Sequence, residues 1–405
     1  MASIRDAWTP GVEFVAGDER RILMLSMREV ADLVGYCALY EFEDVTQAVT
    51  GAGMARPVGL GRLDFARQVY KLARYGTGSR RLASWVRPPL GAFRLTESYD
   101  LFMPVFNHPY ELFALNEVKG WRERCQFAAC YIGEVWEHQL PLYLLELLKS
   151  FDHVFIGVEA STATVAAICG RPCSYLPMGV DALLFCPYPD PPPRSIGLCG
   201  IGRRSPVTHA ALLDLARRIG FFYYYDTLQS KPRGKLAKQL TFRVSSPREH
   251  RLLLANLLKR SRYFIANRAW VDQPGLTRGR DEIAARFYEG AAAGAIMLGE
   301  PPESDAFRSQ FGWTDSVIRM PFHSAGVADL IAELDADPER TSRIRRDNVV
   351  NALLRHDWVH RLRRVFEVAG ISIPEPMLAR EARLRQLADE VRLTPLETLE
   401  QPPRA

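Results

Sequence analysis

The sequence predicts an α/β protein made of two doubly wound parallel-sheet domains in tandem. Three observations carry that expectation. Short apolar runs of strand length alternate with helical segments along most of the chain, as in a parallel sheet covered on both faces. The alternation breaks once, at Pro187-Tyr-Pro-Asp-Pro-Pro-Pro193, and then resumes. A length of 405 residues also exceeds what one hydrophobic core usually serves.

The elements follow in order. Arg21–Ser26 is a first strand, followed by a polar, glycine-containing loop around Gly51–Gly61 and a helix over Asp64–Tyr75. Tyr99–Phe106 and Phe127–Ile132 are buried strands, Leu140–Leu148 a helix, Asp152–Ile156 a strand and Ser161–Ile168 a helix. Five prolines within 187–193 exclude helix and inner strand, because proline lacks an amide hydrogen and fixes φ. This stretch is a stiff connector between a domain at 1–186 and a second at 194–370. In the second domain Ser195–Cys199 is a strand, Ala210–Ile219 a helix and Phe221–Tyr225 a strand. Ser246-Pro-Arg-Glu249 opens a helix with a serine cap, a first-turn proline and a glutamate able to bond back. Tyr263–Ala266 is a strand, Glu282–Ala293 a helix, Ala295–Leu298 its strand and Asp357–Val368 a closing helix. The tail, 371–405, holds one more amphipathic helix over Met377–Leu393.

Bulk composition narrows the function. Apolar residues at 47% and charged residues at 24% are ordinary for a soluble globular protein. A net charge of +5 suits anionic ligands and is too weak to argue for nucleic acid. Seven cysteines, an odd number with no CxxC pair, read as buried cytosolic thiols; no zinc spacing follows Cys169 and Cys173, and no HExxH occurs. The N-terminal residues hold no apolar signal core and no window is apolar enough to span a bilayer, so the expected location is the cytoplasm.

Residues 286–300, RFYEGAAAGAIMLGE, are the most informative stretch: one acid, Glu289, then a small-residue run ending at Gly294, then a buried strand. Side chains this small cannot fill a core alone, so something must approach the helix closely. Asp281 and Glu289 form an acid pair eight positions apart, with Asp281 as helix cap; a helix of that length rises about 12 Å, enough to bracket a diphosphate. The helix start would offer amide hydrogens to phosphate, and the loop before it adds Arg278 and Arg280. A capped amphipathic helix with Glu289 on its wet face accounts for the same spacing. A second feature is the glycine-rich turn Gly200-Ile-Gly202-Arg203-Arg204-Ser205, whose arginines could hold phosphate oxygens. It only partly matches the dinucleotide fingerprint, since Ser205 stands at the third glycine, although Asp226 ends the next strand where that fingerprint wants an acid. A tight strand-to-helix turn explains it equally. The basic set Lys231, Arg233, Lys235, Lys238 and Arg243 reads as a solvated face. His108 and Glu134 follow strands of the first domain and are candidate general bases for an acceptor hydroxyl.

Three segments together resemble the group-1 glycosyltransferases. LPMGVDALLFCP (176–187) is similar to their interdomain "PNGVD…F.P" segment, with Met178 in place of asparagine; RFYEGAAAGAIMLGE resembles their donor-site helix; HDWVHRLRRVF (356–366) resembles their closing helix. The order holds across roughly residues 20–370. The resemblance implies a GT-B fold: two Rossmann-like domains, an acceptor-binding one and a nucleotide-sugar-binding one, an interdomain cleft, and a C-terminal helix that crosses back. It implies transfer of a hexose-type sugar from a UDP- or GDP-sugar to a glycan, lipid or small-molecule acceptor, without metal or other cofactor and with retention. It places Glu289 on the ribose hydroxyls, Asp281 (where the family has glutamate) or its neighbour Glu282 on the donor sugar, and Arg203 or Arg204 on the diphosphate. The family's lysine is missing from Ser205–Leu213, which leaves Arg278, Arg280 or Arg286 to neutralise phosphate. No nucleic-acid partner is expected and no transmembrane segment; peripheral membrane contact stays open. Two rivals are an NAD(P)-dependent oxidoreductase using Gly200, Gly202 and Asp226, and a catalytically silent binding or assembly subunit of the same fold.

Overall fold

A computed structural model describes residues 12–13, 22–28, 33–56, 69, 72, 76–78, 93–136, 140, 142–226, 244–277 and 279–395. The expected helix over Asp64–Tyr75 (apart from Val69 and Leu72), the far end of the Gly51–Gly61 loop, the basic set Lys231–Arg243 and Arg278 lie outside the described residues. The chain divides into two compact units. One comprises Met1–Asp32, Phe42–Pro177 and Arg361–Met377; the other comprises Leu33–Glu41, Met178–His360 and Leu378–Ala405.

The first unit holds strands β1 (Val12–Glu13), β2 (Ile22–Leu25), β3 (Gly53–Ala55), β4 (Phe93–Arg94), β5 (Tyr99–Phe106), β6 (Val118–Lys119), β7 (Cys125–Ile132), β8 (His153–Ile156) and β9 (Cys173–Tyr175). Seven of them form a sheet in the order β1-β3-β2-β5-β7-β8-β9, while β4 and β6 pair separately. All its pairings are parallel except that of β1 with β3. The inner strands are apolar on both faces because both are covered: Leu23, Leu101, Phe102, Ala128 and Phe155 are fully buried.

The second unit holds β10 (Ile196–Gly200), β11 (Tyr223–Tyr225), β12 (Ser261–Ile265), β13 (Ile296–Gly299) and β14 (Ile318–Arg319), an all-parallel sheet in the order β11-β10-β12-β13-β14. Leu198, Tyr263, Ile296 and Leu298 on its strands pack with Leu212 from the Pro206–Ile219 helix and with Ile331 and Leu334 from the Val327–Asp335 helix. The Pro187–Pro193 stretch forms neither helix nor strand. Ser246 caps the Pro247–Lys259 helix as its sequence predicts, its hydroxyl accepting from the Glu249 amide at 3.3 Å.

The Gly-Ala run has a packing explanation. A Cβ at Gly290 would lie 2.8 Å from the Met297 side chain and 2.9 Å from Phe264, so the helix rests directly on its sheet. A Cβ at Gly294, where φ is +62°, would lie 2.9 Å from Val349 of the Pro338–Arg355 helix. Phe287 and Tyr288 in the same helix are completely buried, and burying the Phe287 side chain is worth about 1.5–3 kcal/mol.

Three expectations need correction. The helix starts at Ala285, not Glu282; Ala284 is the capping position and supplies no side-chain bond, so Asp281 caps nothing. Residues 281–284 are not helical, and the 12 Å helical spacing between Asp281 and Glu289 does not hold. The cysteines are free thiols, but Cys125 and Cys173 are partly exposed rather than buried. Among the described residues no helix is long and apolar enough to cross a membrane.

Candidate functional site

The second sheet has one point where its connections diverge. From β10 the chain moves to β11 on one side and then to β12 on the other, so the loops leaving β10 and β12 part from each other at their carboxyl ends. In doubly wound sheets that crevice is where ligands bind. The sequence-predicted donor residues Gly200, Gly202, Arg203 and Arg204 lie on the loop leaving β10.

That loop turns at Gly202, where φ is +77° and only glycine is comfortable. Its amide donates to Asp226 Oδ2 at 2.6 Å. Ser205 then caps the Pro206–Ile219 helix through the Thr208 amide and bonds His323 Nδ1 at 2.9 Å. Ser205 is thus a helix cap, not a damaged glycine, and the helix begins four residues before its predicted start at Ala210.

The arginines of the loop already have partners. Arg203 pairs with Asp272 at 2.7 Å and lies over the Trp270 ring at 4.0 Å. Trp270 adopts a left-handed φ of +55°, unusual for a bulky residue. Arg204 approaches Asp226 at 3.6 Å and lies over Tyr225 at 5.0 Å. Arg286 differs. Its guanidinium rests against Gly202, Nη2 standing 1.9 Å from where a Cβ would be, and among the described residues it makes no hydrogen bond or ion pair. Burial lowers its pKa, opposed by the charges of Glu289 and Asp226 and reinforced by Arg203. It is a partly buried cation with no hydrogen bond or ion pair among the described residues, beside a backbone turn that admits nothing larger than glycine.

Glu289 is only 5% exposed, not on a wet face. One of its oxygens accepts from Arg251 Nη1. Arg251, on the Pro247–Lys259 helix, also binds Glu41 through Nε at 2.6 Å and Nη2 at 3.1 Å. Burial works to lower the Arg251 pKa, but the carboxylates of Glu41 and Glu289 outweigh it and raise it. Glu41 is itself pushed upward by burial, against the pull of Arg251.

Asp281 sits in the loop before the helix, paired with Arg268 Nη1 at 2.6 Å, while Arg268 Nη2 binds Glu300 at 2.7 Å. Glu300 also accepts the Phe322 amide at 3.2 Å, and its own amide donates to Asn267 Oδ1 at 2.8 Å, so the ends of β12, β13 and β14 are tied together. Glu282 is buried at 5% exposure, its carbonyl taking the Ala269 amide; Arg280 donates its amide to Thr277. Arg278 lies outside the described residues.

His108 and Glu134 belong to the first unit, after the paired strands β5 and β7. His108 caps the 3-10 helix Pro109–Glu117, accepting from the Tyr110 amide at 3.4 Å, and its ring stacks on Tyr110 at 4.9 Å. Glu134 accepts from Trp136 Nε1 at 2.9 Å. Sequence reasoning missed Arg251, Glu41, Arg268 and Asp272, because nothing in their local pattern separates them from other surface-type charges.

Comparison with known proteins agrees with this architecture. Residues 235–367, about a third of the chain, match the family described as glycosyl transferase-like. No curated protein sequence matches the chain. Among solved structures, the N-terminal domain of a Candida albicans trehalose-6-phosphate phosphatase aligns over 90% of this chain and 100% of its own, with TM-score 0.51 and 9% identity. A glycosyltransferase from Rickettsia africae aligns over 87% of this chain and 98% of its own, with TM-score 0.48 and 10% identity. Anabaena HepE, solved in complex with UDP-glucose, aligns over 86% of this chain and 99% of its own, with TM-score 0.47 and 13% identity. At 9% identity the likeness to the Candida structure speaks to the fold alone. Residues 235–367 are thus similar to a glycosyl transferase-like family, and the chain as a whole shares its two-unit, parallel-sheet α/β fold with the Candida structure.

Proposed function

We propose that the second unit binds the nucleoside diphosphate of a UDP- or GDP-sugar and that the protein transfers its hexose to an acceptor hydroxyl. The observation that carries this reading is the Arg286 guanidinium, partly buried against Gly202 at the carboxyl end of β10, with no hydrogen bond or ion pair among the described residues. A diphosphate would supply the negative charge that Arg286 lacks in direct contact. Glu289, one side chain turn away in the same helix, would take ribose hydroxyls.

The roles of the remaining residues follow from their engagement. Arg203 and Arg204 already face Asp272 and Asp226, so Arg286 takes the main phosphate role and the other two shape the loop. Stabilising the leaving diphosphate with a preorganised cation suits a transfer that needs no metal. Asp281, held by Arg268, is the candidate for contact with the donor sugar. His108 and Glu134 are candidate bases for the acceptor, a hydroxyl of a glycan, lipid or small molecule. Retention at the anomeric carbon follows the family resemblance.

The oxidoreductase reading is less well supported. Asp226, the acid it needs for a ribose, is bonded to the Gly202 amide and faces Arg204. A thermal-shift series with UDP, GDP, their sugars and NAD tests the choice. Stabilisation by a diphosphate nucleotide is expected; stabilisation by NAD alone overturns the proposal, and donor binding without turnover on an acceptor panel favours a silent binding subunit.

A further inference from the structure

We infer that Arg251, clamped by Glu41, is a positioning residue that fixes the Glu289 carboxylate for the hydroxyls of the nucleoside ribose. The inference rests on the donor-site reading above and goes one step behind it.

The chain of constraint runs in one direction. Glu41, 4% exposed, uses both oxygens: Oε2 takes Arg251 Nε at 2.6 Å, and Oε1 takes Arg251 Nη2 at 3.1 Å, the Asp181 amide at 2.7 Å and Trp358 Nε1 at 3.0 Å. Trp358 is itself immovable: it is fully buried, and a Cβ on Gly179 would lie 2.8 Å from its ring. Arg251, also 4% exposed, is therefore held bidentately on one side and by the Phe185 ring at 4.7 Å on another. What is left of its fork, Nη1, binds Glu289 Oε1. The other oxygen of Glu289 accepts no hydrogen bond among the described residues.

The contact pattern points the same way. Two carboxylates share the Arg251 guanidinium, and Glu289 has the fewer direct contacts of the two, with Arg286 as a further charged neighbour. Buried ion clusters are poor devices for stability, since the cost of removing charges from water offsets their attraction. A cluster that ends on a carboxylate oxygen with no partner is better explained by a ligand that completes it, and a ribose diol donates the hydrogen bonds that such an oxygen accepts. One donor–carboxylate bond held in a fixed position supports about tenfold to a hundredfold discrimination.

The test is the preference for a ribonucleotide over its 2′-deoxy form. UDP and 2′-deoxy-UDP (and the GDP pair) are titrated calorimetrically into the wild type, Glu289→Gln, Arg251→Met and Glu41→Gln. The wild type is expected to prefer the ribonucleotide by about tenfold or more. Arg251→Met and Glu41→Gln should lose most of that preference while binding the deoxy form as the wild type does. A cluster that merely holds the fold would weaken both nucleotides together. If the preference survives in both variants but disappears in Glu289→Gln, Arg251 has no positioning role and the ribose contact stands. If Glu289→Gln keeps the preference, or the wild type shows none, the ribose contact itself fails. Should Arg251→Met not fold, Arg251→Lys and Glu41→Gln, which preserve packing volume, decide.

Discussion

The guanidinium of Arg286 occupies the space that a side chain on Gly202 would need: a Cβ there would stand 1.9 Å from Arg286 Nη2. The two residues come from opposite sides of the site, one from the loop after β10 and one from the helix before β13. Their contact joins the glycine-rich loop to the Ala285–Ala292 helix at the proposed diphosphate seat.

Gly202→Ala should therefore act twice. The left-handed φ of +77° costs an alanine about 1–2 kcal/mol, and the clash displaces Arg286. We expect a lower urea midpoint together with at least about tenfold weaker nucleoside diphosphate binding. Unchanged affinity in a folded variant would separate Arg286 from the ligand.

Gly290→Ala reverses the usual helix rule. Alanine in place of a mid-helix glycine normally gains about 1 kcal/mol. Here the new methyl meets Met297 and Phe264 inside 3.0 Å, and overpacking costs about 1–3 kcal/mol. Thermal unfolding should show a net loss; a higher midpoint would mean that the helix can move off its sheet.

Glu43 in the first unit predicts a pH dependence. It is fully buried; Oε2 binds Ser26 Oγ at 2.7 Å and Arg28 Nε at 2.9 Å, while Oε1 is buried without a hydrogen-bond partner among the described residues. Burial pushes its pKa from 4.5 up to about 7, against Arg28 and Ser26. The folded state then binds the proton more tightly than the unfolded chain, so this residue's contribution favours folding at low pH and is lost as pH rises between about 4.5 and about 7. The full effect is of order 3 kcal/mol, at about 1.4 kcal/mol per pH unit. Urea unfolding at pH 5 and pH 8 should show the wild type losing more stability across that range than Glu43→Gln. Parallel profiles would place the titration elsewhere.

Ser205→Gly restores the spacing of the dinucleotide fingerprint and so tests the oxidoreductase rival. It removes a cap and the bond to His323, for an expected loss of about 1 kcal/mol. No affinity for NAD should appear, because Asp226 stays on the Gly202 amide. A thermal shift with NAD in this variant would revive that reading.

The fold was largely legible in the sequence because its strands are continuous apolar runs. Tyr99–Phe106 was read to the residue, and Ile22–Leu25, His153–Ile156 and Ile196–Gly200 to within a position or two. The Ser246 cap was legible because serine, proline and glutamate act locally. Where the reading failed, a long-range contact had overruled a local signal. Asp281 looks like a helix cap, but Arg268, thirteen residues earlier, holds it in the preceding loop. Ser205 looks like a lost glycine until His323 and Thr208 are beside it. The Glu41–Arg251 pair joins residues 210 positions apart, and no periodicity announces such a contact. Arg286 meets Gly202 across 84 positions, which no local pattern shows.

Arg286 is proposed to hold the diphosphate of a nucleotide-sugar donor. Calorimetric titration of UDP and GDP into the wild type and Arg286→Ala, with circular dichroism to verify folding, tests it most directly. Saturable binding of one of the two to the wild type is expected, with a loss of about tenfold or more in the variant. Equal affinity in both proteins, or no binding of either nucleotide to the wild type, would contradict it.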